Sequence, residues 1–307
     1  MSLQRPCALC GLIFEPKELS HIVSGFVYRW LKASSATGFM RYGPQMNRRS
    51  QDGLKDYFLC ANCEDRFSLQ EDMFAQKIFY PYVNDNSVCV DYEEYVLKFA
   101  VSASWRVLAY GIEKRGLPHF RRRHQEAIRE TLDTWRDYLL DQRDNIGAHE
   151  IHLLPFCGIV DYRASDVPDG INRYLRHAVE IDVGVSDDET FTYCKLGPMD
   201  LIGLIEYPDL DHWQNTKISK TGHFGPGRTV VPGQYQQFIF KRCRRMLELE
   251  QNISDRQRTA IKRSYEQRID RWETSDTYNA TLLDVELQMR QSIRSGAESS
   301  DRFAERG

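Results

Sequence analysis

The sequence contains no run that approaches the roughly 20 apolar residues of a membrane-spanning helix. Its start, MSLQRPCALC, lacks the basic segment and the following apolar segment of an export signal. Neither sign of charge is in large excess: the net charge is −3 over 307 residues, so no overall field attracts nucleic acid or anionic lipid. We therefore expect a cytoplasmic protein without membrane contacts, in which local basic patches hold any nucleic acid.

Cysteine is the residue type whose placement is most informative. Four of the eight cysteines form two Cys-x-x-Cys pairs, Cys7 with Cys10 and Cys60 with Cys63. Disulfides are disfavoured in the reducing compartment that we expect, and each pair places two sulfurs on one tight turn. Four such thiolates are the ligand set of tetrahedral zinc. The spacing predicts Zn²⁺ bound by all four, and because they leave no open coordination position, this zinc is predicted to be structural.

Composition shifts divide the chain into three predicted parts. Residues 1–88 hold both cysteine pairs, and Pro81 followed by the polar VNDNS segment marks the predicted end of this module. Residues 89–294 form a larger predicted domain of unknown role. The polar stretch 295–307 is predicted to be a disordered tail. Within the first module, residues 38–57 are polar and punctuated by glycine, which predicts a loop.

The periodicity of apolar residues within 89–294 changes along the chain. Helical spacing predicts helices over about 91–114 and 119–143, separated at a Gly-Leu-Pro break. Alternating and β-branched runs between 149 and 240 predict an antiparallel sheet. A helix over about 234–250 and a very polar helical stretch, 255–294, follow. The fold class is therefore predicted to be α+β, with an N-terminal zinc module before a mixed domain of antiparallel sheet and flanking helices.

A candidate catalytic site lies between and after the cysteine pairs. His21 follows the first pair where a strand leaves the turn, and a neutral imidazole can take a proton from an attacking water. The helix after the second pair places Glu64, Ser68 and Glu71 on one face, and carboxylates suit Mg²⁺ or Mn²⁺. Asn47 offers an amide from the segment between the pairs. Structural roles stay open, because His21 can pack near the turn and Glu64 can stabilise the helix dipole.

Basic patches are the candidate contacts to nucleic acid. One patch lies beside the zinc module, and the densest one opens the second predicted helix of the larger domain. The candidate residues are Arg41, Arg48, Arg49, Arg121, Arg122 and Arg123. Arginines that converge on one face bind phosphates with a salt-dependent affinity. The alternative is a solvated helix face whose arginines pair with nearby acidic residues.

The order of these motifs resembles the zinc-knuckle branch of the HNH, or His-Me finger, endonuclease-like proteins of bacteria. The resemblance rests on Cys7-x-x-Cys10, then Ser20-His21-Ile22, then Leu59-Cys60-x-x-Cys63, and it covers about residues 7–79. It implies a treble-clef-like ββα module in which His21 is the general base. It also implies that the helix after the second pair completes a site for one divalent cation, with Glu64 where the family often has His.

The sequence departs from the family pattern at two positions. Ser20 replaces the usual acidic residue before the histidine, and Lys55 stands where many members carry Asn. Asn47, in the long segment between the cysteine pairs, is the candidate substitute for the missing amide. These departures put the activity of the site in question.

The function that the resemblance implies is hydrolysis of phosphodiester bonds by a metal-dependent HNH-type endonuclease, in a setting such as prokaryotic defence. Its partner is expected to be nucleic acid, DNA before RNA. The alternative is a non-catalytic zinc-binding protein that binds nucleic acid or acts as an adaptor between proteins. Self-association, or a protein partner bound through the second domain, is open on either reading.

Overall fold

The structure is a computed structural model that describes residues 4–16, 19–43, 45–162, 166–208 and 210–304. Its strands are β1 (Arg5–Pro6), β2 (Ile13–Phe14), β3 (Ser20–His21), β4 (Met40–Tyr42), β5 (Gln45–Ser50), β6 (Lys55–Asp56), β7 (Val90–Tyr92), β8 (Glu150–Pro155), β9 (Val179–Val185), β10 (Thr190–Leu196), β11 (Met199–Glu206) and β12 (Gly222–Phe224). Its helices are α1 (Gly25–Ala33), α2 (Ala61–Phe74), α3 (Tyr80–Asn84), α4 (Tyr95–Arg115), α5 (Arg122–Leu139), α6 (Ile171–His177), α7 (Gly233–Gln251), α8 (Asp255–Glu266), α9 (Ile269–Glu273) and α10 (Asp276–Ala304). A π-helical turn spans Ala75–Phe79, and a 3₁₀ turn spans Leu117–His119.

Helices and strands are thus mixed along the chain, and the paired strands run antiparallel, as the sequence predicts. None of the helices in the described ranges is long and apolar enough to cross a membrane. Helix α10 continues to Ala304, within the range 295–307 that was predicted to be disordered; residues 305–307 lie outside the described residues.

Two compact units divide the chain differently from the predicted boundary at residue 88. The first unit comprises Met1–Tyr28, Gly53–Pro155 and Val179–Val231. The second comprises Arg29–Asp52, Phe156–Ala178 and Pro232–Gly307. Each unit is therefore built from segments that are distant in sequence, whereas the prediction assumed continuous domains.

In the core of the first unit, helix α4 contacts both the four-stranded sheet and the cysteine-bearing segment. Helix α4 is buried along most of its length, and it packs on the four-stranded sheet of order β8-β11-β10-β9. The same helix presents Trp105 to Phe58 and Phe67, with ring centroids 5.7 and 6.4 Å apart. Phe99, also on α4, stacks on Phe74 at 3.9 Å. Large aromatic contacts of this kind fix the cysteine-bearing segment to α4.

The central strands of the sheet bury one ion pair. Lys195 on β10 and Asp200 on β11 are register partners, and the Lys195 Nζ lies 2.8 Å from the Asp200 Oδ1. Neither side chain is exposed to solvent. The Tyr193 hydroxyl donates to the second carboxylate oxygen of Asp200 at 3.4 Å. Because a buried charge is costly without its partner, this pair ties the two strands together in one register.

The second unit contains the β4–β5 hairpin and helices α6 to α10. The hairpin corrects the prediction of a loop over 38–57: Arg41 pairs with Arg49 in an antiparallel register. The segment lacks alternating apolar residues, so its sequence gives no strand signal. Polar contacts stabilise it instead, since Arg41 donates to the Met46 carbonyl at 2.6 Å and Asn47 accepts from the Ser254 amide at 2.8 Å.

The polar stretch 255–294, predicted to be helical, divides into α8, α9 and the first part of α10. Asp284 of α10 anchors this stretch to α6. Its carboxylate accepts hydrogen bonds from the backbone amides of Asn172 and Arg173, at 2.7 and 3.2 Å. These are amides of the first turn of α6, so Asp284 acts as a helix cap supplied from a distant part of the chain.

A buried histidine in the first unit predicts a loss of stability in acid. His152 is fully buried; its Nδ1 lies 2.8 Å from the Thr216 hydroxyl, and its Nε2 faces Glu150, beside Lys217. Burial lowers the pKa of His152 to about 4, from 6.5. Between about pH 4 and pH 6.5, His152 binds a proton in the unfolded chain but not in the folded chain. Stability is therefore complete above pH 6.5 and falls as the pH drops towards 4.

We expect the free energy of unfolding to fall by about 2 kcal/mol between pH 7 and pH 5 through this residue alone. Chemical denaturation of the protein and of His152→Asn at both pH values measures the effect. Asparagine keeps a polar atom for Thr216 and does not titrate, so its profile should be flatter by that amount. Parallel profiles for the two proteins would contradict the assignment to His152. His223→Asn, at an exposed position, is the matched control and should leave the profile unchanged.

Candidate metal centre

The four cysteines of the two Cys-x-x-Cys pairs come together in the first unit. Their sulfur atoms all lie within 4.8 Å of one another, and all four thiols are free. The Sγ atoms of Cys10 and Cys60 are 3.7 Å apart. Zinc–sulfur bonds of about 2.3 Å at tetrahedral angles place sulfurs about 3.8 Å apart, whereas a disulfide places them at about 2.05 Å. The cluster can therefore hold a metal ion such as zinc.

The first pair lies on the turn between β1 and β2. The Cys7 amide donates to the Leu12 carbonyl at 2.9 Å, and the Gly11 amide donates to the Cys7 carbonyl at 2.9 Å. Gly11 has a φ of 74°, which a residue with a Cβ adopts with difficulty. This glycine therefore lets the turn close directly after Cys10, so that both sulfurs of the pair point to the same side.

The second pair lies at the start of α2. Cys60 precedes the first helical residue, and the Cys63 amide donates to the Cys60 carbonyl at 3.0 Å. The two turns are joined directly, because the Cys60 amide donates to the Cys7 sulfur at 3.3 Å and the Ala8 amide donates to the Phe58 carbonyl at 3.0 Å. A backbone amide that donates to a cysteine sulfur stabilises the thiolate form, which is the form that binds metal.

The crowding of the thiols has an electrostatic consequence. A hydrogen bond from the Cys63 thiol lowers the pKa of Cys7 to about 4, and the same hydrogen bond raises the pKa of Cys63. Four sulfurs at this separation cannot all ionise unless a cation compensates their charge. A bound divalent cation does so, and it releases the remaining protons as it binds.

His21 is held beside the second cysteine pair by its own strand. β3 pairs with β6, which places His21 opposite Lys55, and the buried Ser20 hydroxyl accepts from the Leu59 amide at 3.1 Å. The His21 ring is partly exposed and stacks on Tyr28, with centroids 6.0 Å apart. Ser20 thus connects this strand to the chain just before Cys60.

Arg106 of α4 is a residue near this site that the sequence did not single out. It is almost fully buried, and it donates to the His21 carbonyl at 3.0 Å and to the carboxylate of Glu71. Glu71 is therefore engaged in an ion pair, although the sequence offered it as a metal-binding carboxylate. The sequence signal that could have identified Arg106 is its position as an arginine in the largely apolar run of α4.

Glu64 lies in the first turn of α2, adjacent to Cys63. Its Oε1 is buried and has no hydrogen-bond partner among the described residues. A buried carboxylate oxygen normally has a partner, so this atom has an unused capacity to bind a proton donor or a cation. Asp56, on the strand that pairs with that of His21, is bound to Lys114, and its pKa is lowered.

The structure brings Asn47 to a different unit from His21 and Glu64. Asn47 lies on β5, in the second unit, and its side chain joins the hairpin to the loop before α8. The Asn47 amide group donates to the Asn252 carbonyl at 3.0 Å, and its oxygen accepts from the Ser254 amide. Both polar atoms of this side chain are thus used within the second unit.

The candidate nucleic-acid contacts fall into two groups. Arg121 and Arg123 lie at the start of α5, with carboxylates of Asp187 and Asp188 at 2.5 and 3.2 Å, so their charges are compensated. Arg122 forms no ion pair within the described part of the chain and is exposed.

The other group lies on the β4–β5 hairpin. Arg41 uses its guanidinium in the hairpin, and it donates to Gln257 at 3.3 Å. Arg48 is exposed and lines a shallow cavity together with Asn47. The Arg49 guanidinium stacks over Phe39, 4.5 Å from the ring centroid. This group therefore keeps exposed positive charge that the first group has largely lost.

Comparison with known proteins adds no relative: no protein-family model matches the chain, and neither a curated protein nor a solved structure is detectably similar. The function of the protein is therefore inferred from its own residues and contacts.

Proposed function

We propose that the N-terminal part of the protein is a treble-clef-like ββα zinc module and that the protein is a metal-dependent HNH-like nuclease. The observation that carries the proposal is the combination of a four-cysteine cluster with a histidine-bearing strand next to it. The helix that follows Cys63 begins at the cluster, and Arg106 donates both to the His21 carbonyl and to Glu71 of that helix. The cluster supplies a rigid support, because four thiolates close the coordination sphere of zinc and leave the chemistry to other residues.

His21 is the proposed general base. Its imidazole is partly exposed, while the carbonyl of the same residue is held by the buried Arg106, so the ring is presented to solvent from a fixed backbone. A neutral imidazole can accept a proton from water. His21 would take that proton as the water attacks a phosphodiester.

Glu64 is the proposed ligand of a catalytic Mg²⁺ or Mn²⁺. Its buried oxygen without a partner suits a hard cation, which prefers carboxylate oxygens. The cation, when bound, would stabilise negative charge on the phosphate. Asn47 stays the third candidate from the sequence. Its amide is bound within the second unit, so the proposal depends on His21 and Glu64 rather than on Asn47.

Cleavage assays test this proposal directly. Purified protein with Mg²⁺ or Mn²⁺ should cleave plasmid or single-stranded DNA, and His21→Ala should cleave at least about 100-fold more slowly, because general-base catalysis contributes at least about that factor. His223→Ala is the matched control, since this histidine is exposed and bound to Asp91 in the same unit. Equal rates for His21→Ala and the unchanged protein would overturn the assignment of His21.

A second candidate function is a non-catalytic zinc-binding protein that binds nucleic acid or acts as an adaptor. The occupied carboxylates beside His21 favour it: Glu71 is bound to Arg106 and Asp56 to Lys114, which leaves few acidic groups for a catalytic cation. Salt-sensitive binding of nucleic acid without any cleavage would select this function. A role in prokaryotic defence belongs to the nuclease proposal and would fall with it, whereas the proposed cytoplasmic location does not depend on it.

A further inference from the structure

A groove rich in arginine lies wholly within the second unit, between the β4–β5 hairpin and α8. Its volume is about 630 Å³, and it contains neither His21 nor Glu64. We call it the arginine groove. The residues that carry its charge are Arg49, Arg256, Arg263 and Arg268. Phe39 lines the groove next to the hairpin, and small or polar side chains of α8 line the opposite side.

The helical period of α8 explains how the sequence builds one wall of the groove. Thr259, Ala260 and Arg263 lie three, four and seven residues after Arg256, so these four share one face of α8, and Ser264 flanks that face. Gln267 and Arg268 follow the helix, which ends at Glu266. The hairpin supplies the facing wall with Arg49, whose guanidinium stacks on Phe39 at 4.5 Å. Residues about 200 positions apart in sequence thus converge.

The charge in the arginine groove is not compensated by acidic side chains. All four arginines are exposed, and none of them forms an ion pair within the described part of the chain. Other basic residues of the same unit do form such pairs: Lys262 on another face of α8 faces Glu266, and Arg290 on α10 binds Glu286. The positive field also reaches the neighbouring Arg41, whose pKa is lowered first by burial and then by the charge of Arg49.

We propose that the arginine groove binds the sugar–phosphate backbone of a nucleic-acid strand. Guanidinium groups pair with phosphate oxygens through two parallel hydrogen bonds, and the Arg49 guanidinium is held by its stacking on Phe39. Arg256 and Arg263 are seven residues apart on the helix, or about 10 Å along its axis, which exceeds the spacing of two adjacent phosphates. An extended polyanion can therefore satisfy all four arginines, whereas a single phosphate cannot.

This proposal is independent of the nuclease proposal, because it concerns binding in the second unit and not cleavage in the first. The test uses the full chain without Mg²⁺ or Mn²⁺, so that no cleavage interferes. A fluorescent single strand of roughly 20 nucleotides, longer than the sites that single-strand-binding folds cover, is titrated at several salt concentrations. For single strands, the logarithm of the affinity should fall linearly with the logarithm of the salt concentration. The expected slope is about −0.7 per phosphate contact, or about −3 for four contacts.

The variant that tests the groove is the double substitution Arg256→Gln with Arg263→Gln. We expect at least about a tenfold loss of affinity and a slope that is shallower by about 1.4, because two phosphate contacts are lost. Lys262→Gln is the matched control: it removes one positive charge from the same helix, outside the groove, and should leave the slope nearly unchanged. Equal helical circular dichroism for all variants separates a binding defect from misfolding.

Three results would overturn the proposal. The first is an affinity and a slope that do not change in the double variant. The second is that a mononucleotide or inorganic phosphate competes as effectively as an unlabelled strand at the same total concentration of phosphate groups. That result would indicate a site for isolated phosphates. The third is equal competition by a poly-glutamate peptide. The binding test does not use cleavage data. His21→Ala can therefore disprove the nuclease proposal while nucleic-acid binding in the arginine groove is unchanged.

Discussion

Cys63→Ser should unfold the segment that carries both cysteine pairs and should release its metal. Structural zinc contributes an apparent free energy of about 10 to 16 kcal/mol to small zinc-dependent domains, which is as large as the whole stability of an ordinary domain. In and beside the turn between β1 and β2, Leu12 and Ile13 are exposed, and Leu9 is the buried apolar side chain besides Cys7. Without metal, the four thiols are close together but are not bonded to a common ion. The two turns then lose the connection that the ion provides.

Elemental analysis of the purified protein should find one zinc per chain and none in Cys63→Ser. Limited proteolysis and amide hydrogen exchange should then show loss of protection around both turns, and a strong chelator should produce the same change in the unaltered protein. Cys89→Ser is the matched control, because this cysteine is exposed and far from the pairs in sequence. Protein that contains no metal, or a Cys63→Ser variant with unchanged protection, would refute the structural zinc.

Lys195→Met should be the most damaging single substitution in the sheet of the first unit. It leaves the Asp200 carboxylate fully buried without its cation, and breaking a buried ion pair in this way costs about 3 to 5 kcal/mol. Urea denaturation should show this as a lower midpoint. The loss is expected although methionine matches lysine in length and is more apolar, because the cost comes from the remaining charge and not from a cavity.

The double variant Lys195→Met with Asp200→Leu distinguishes this explanation from simple packing damage. Removing both charges should recover most of the lost stability, since apolar replacements of buried ion pairs are often neutral or stabilising. Lys262→Met removes a lysine from an exposed pair with Glu266 and should cost less than about 1 kcal/mol. A double variant no more stable than Lys195→Met would show that the side-chain shapes, rather than the charges, determine the effect.

Local chemistry made some features predictable from sequence. The four cysteines were recognised as one ligand set because a Cys-x-x-Cys turn needs only neighbouring residues to align its sulfurs, and their sulfurs do cluster. The break between α4 and α5 was predicted because Gly116, with a φ of 79°, and Pro118 act on the backbone where they stand. The alternating runs of the larger domain likewise predicted antiparallel strands.

Other features depended on partners that the sequence does not identify. The β4–β5 hairpin was missed because its stabilising contacts come from Asn252 and Ser254, about 200 residues later in the chain. The same long-range contacts engage Asn47, a candidate catalytic residue. Arg121 and Arg123 were candidates for phosphate binding, and carboxylates more than 60 residues away compensate them.

The sequence by itself determined the set of four cysteines that can hold a metal ion, the mixed class of the fold and most helices, because these follow from spacing within a few turns of chain. Only the tertiary structure decided which charges are neutralised and which are left exposed. Glu71 is bound by Arg106, whereas Arg49 meets Arg256 and Arg263 with no acidic residue between them in the groove. The physical reason is that an ion pair depends on the distance between two side chains in space, which the fold sets and the local pattern does not.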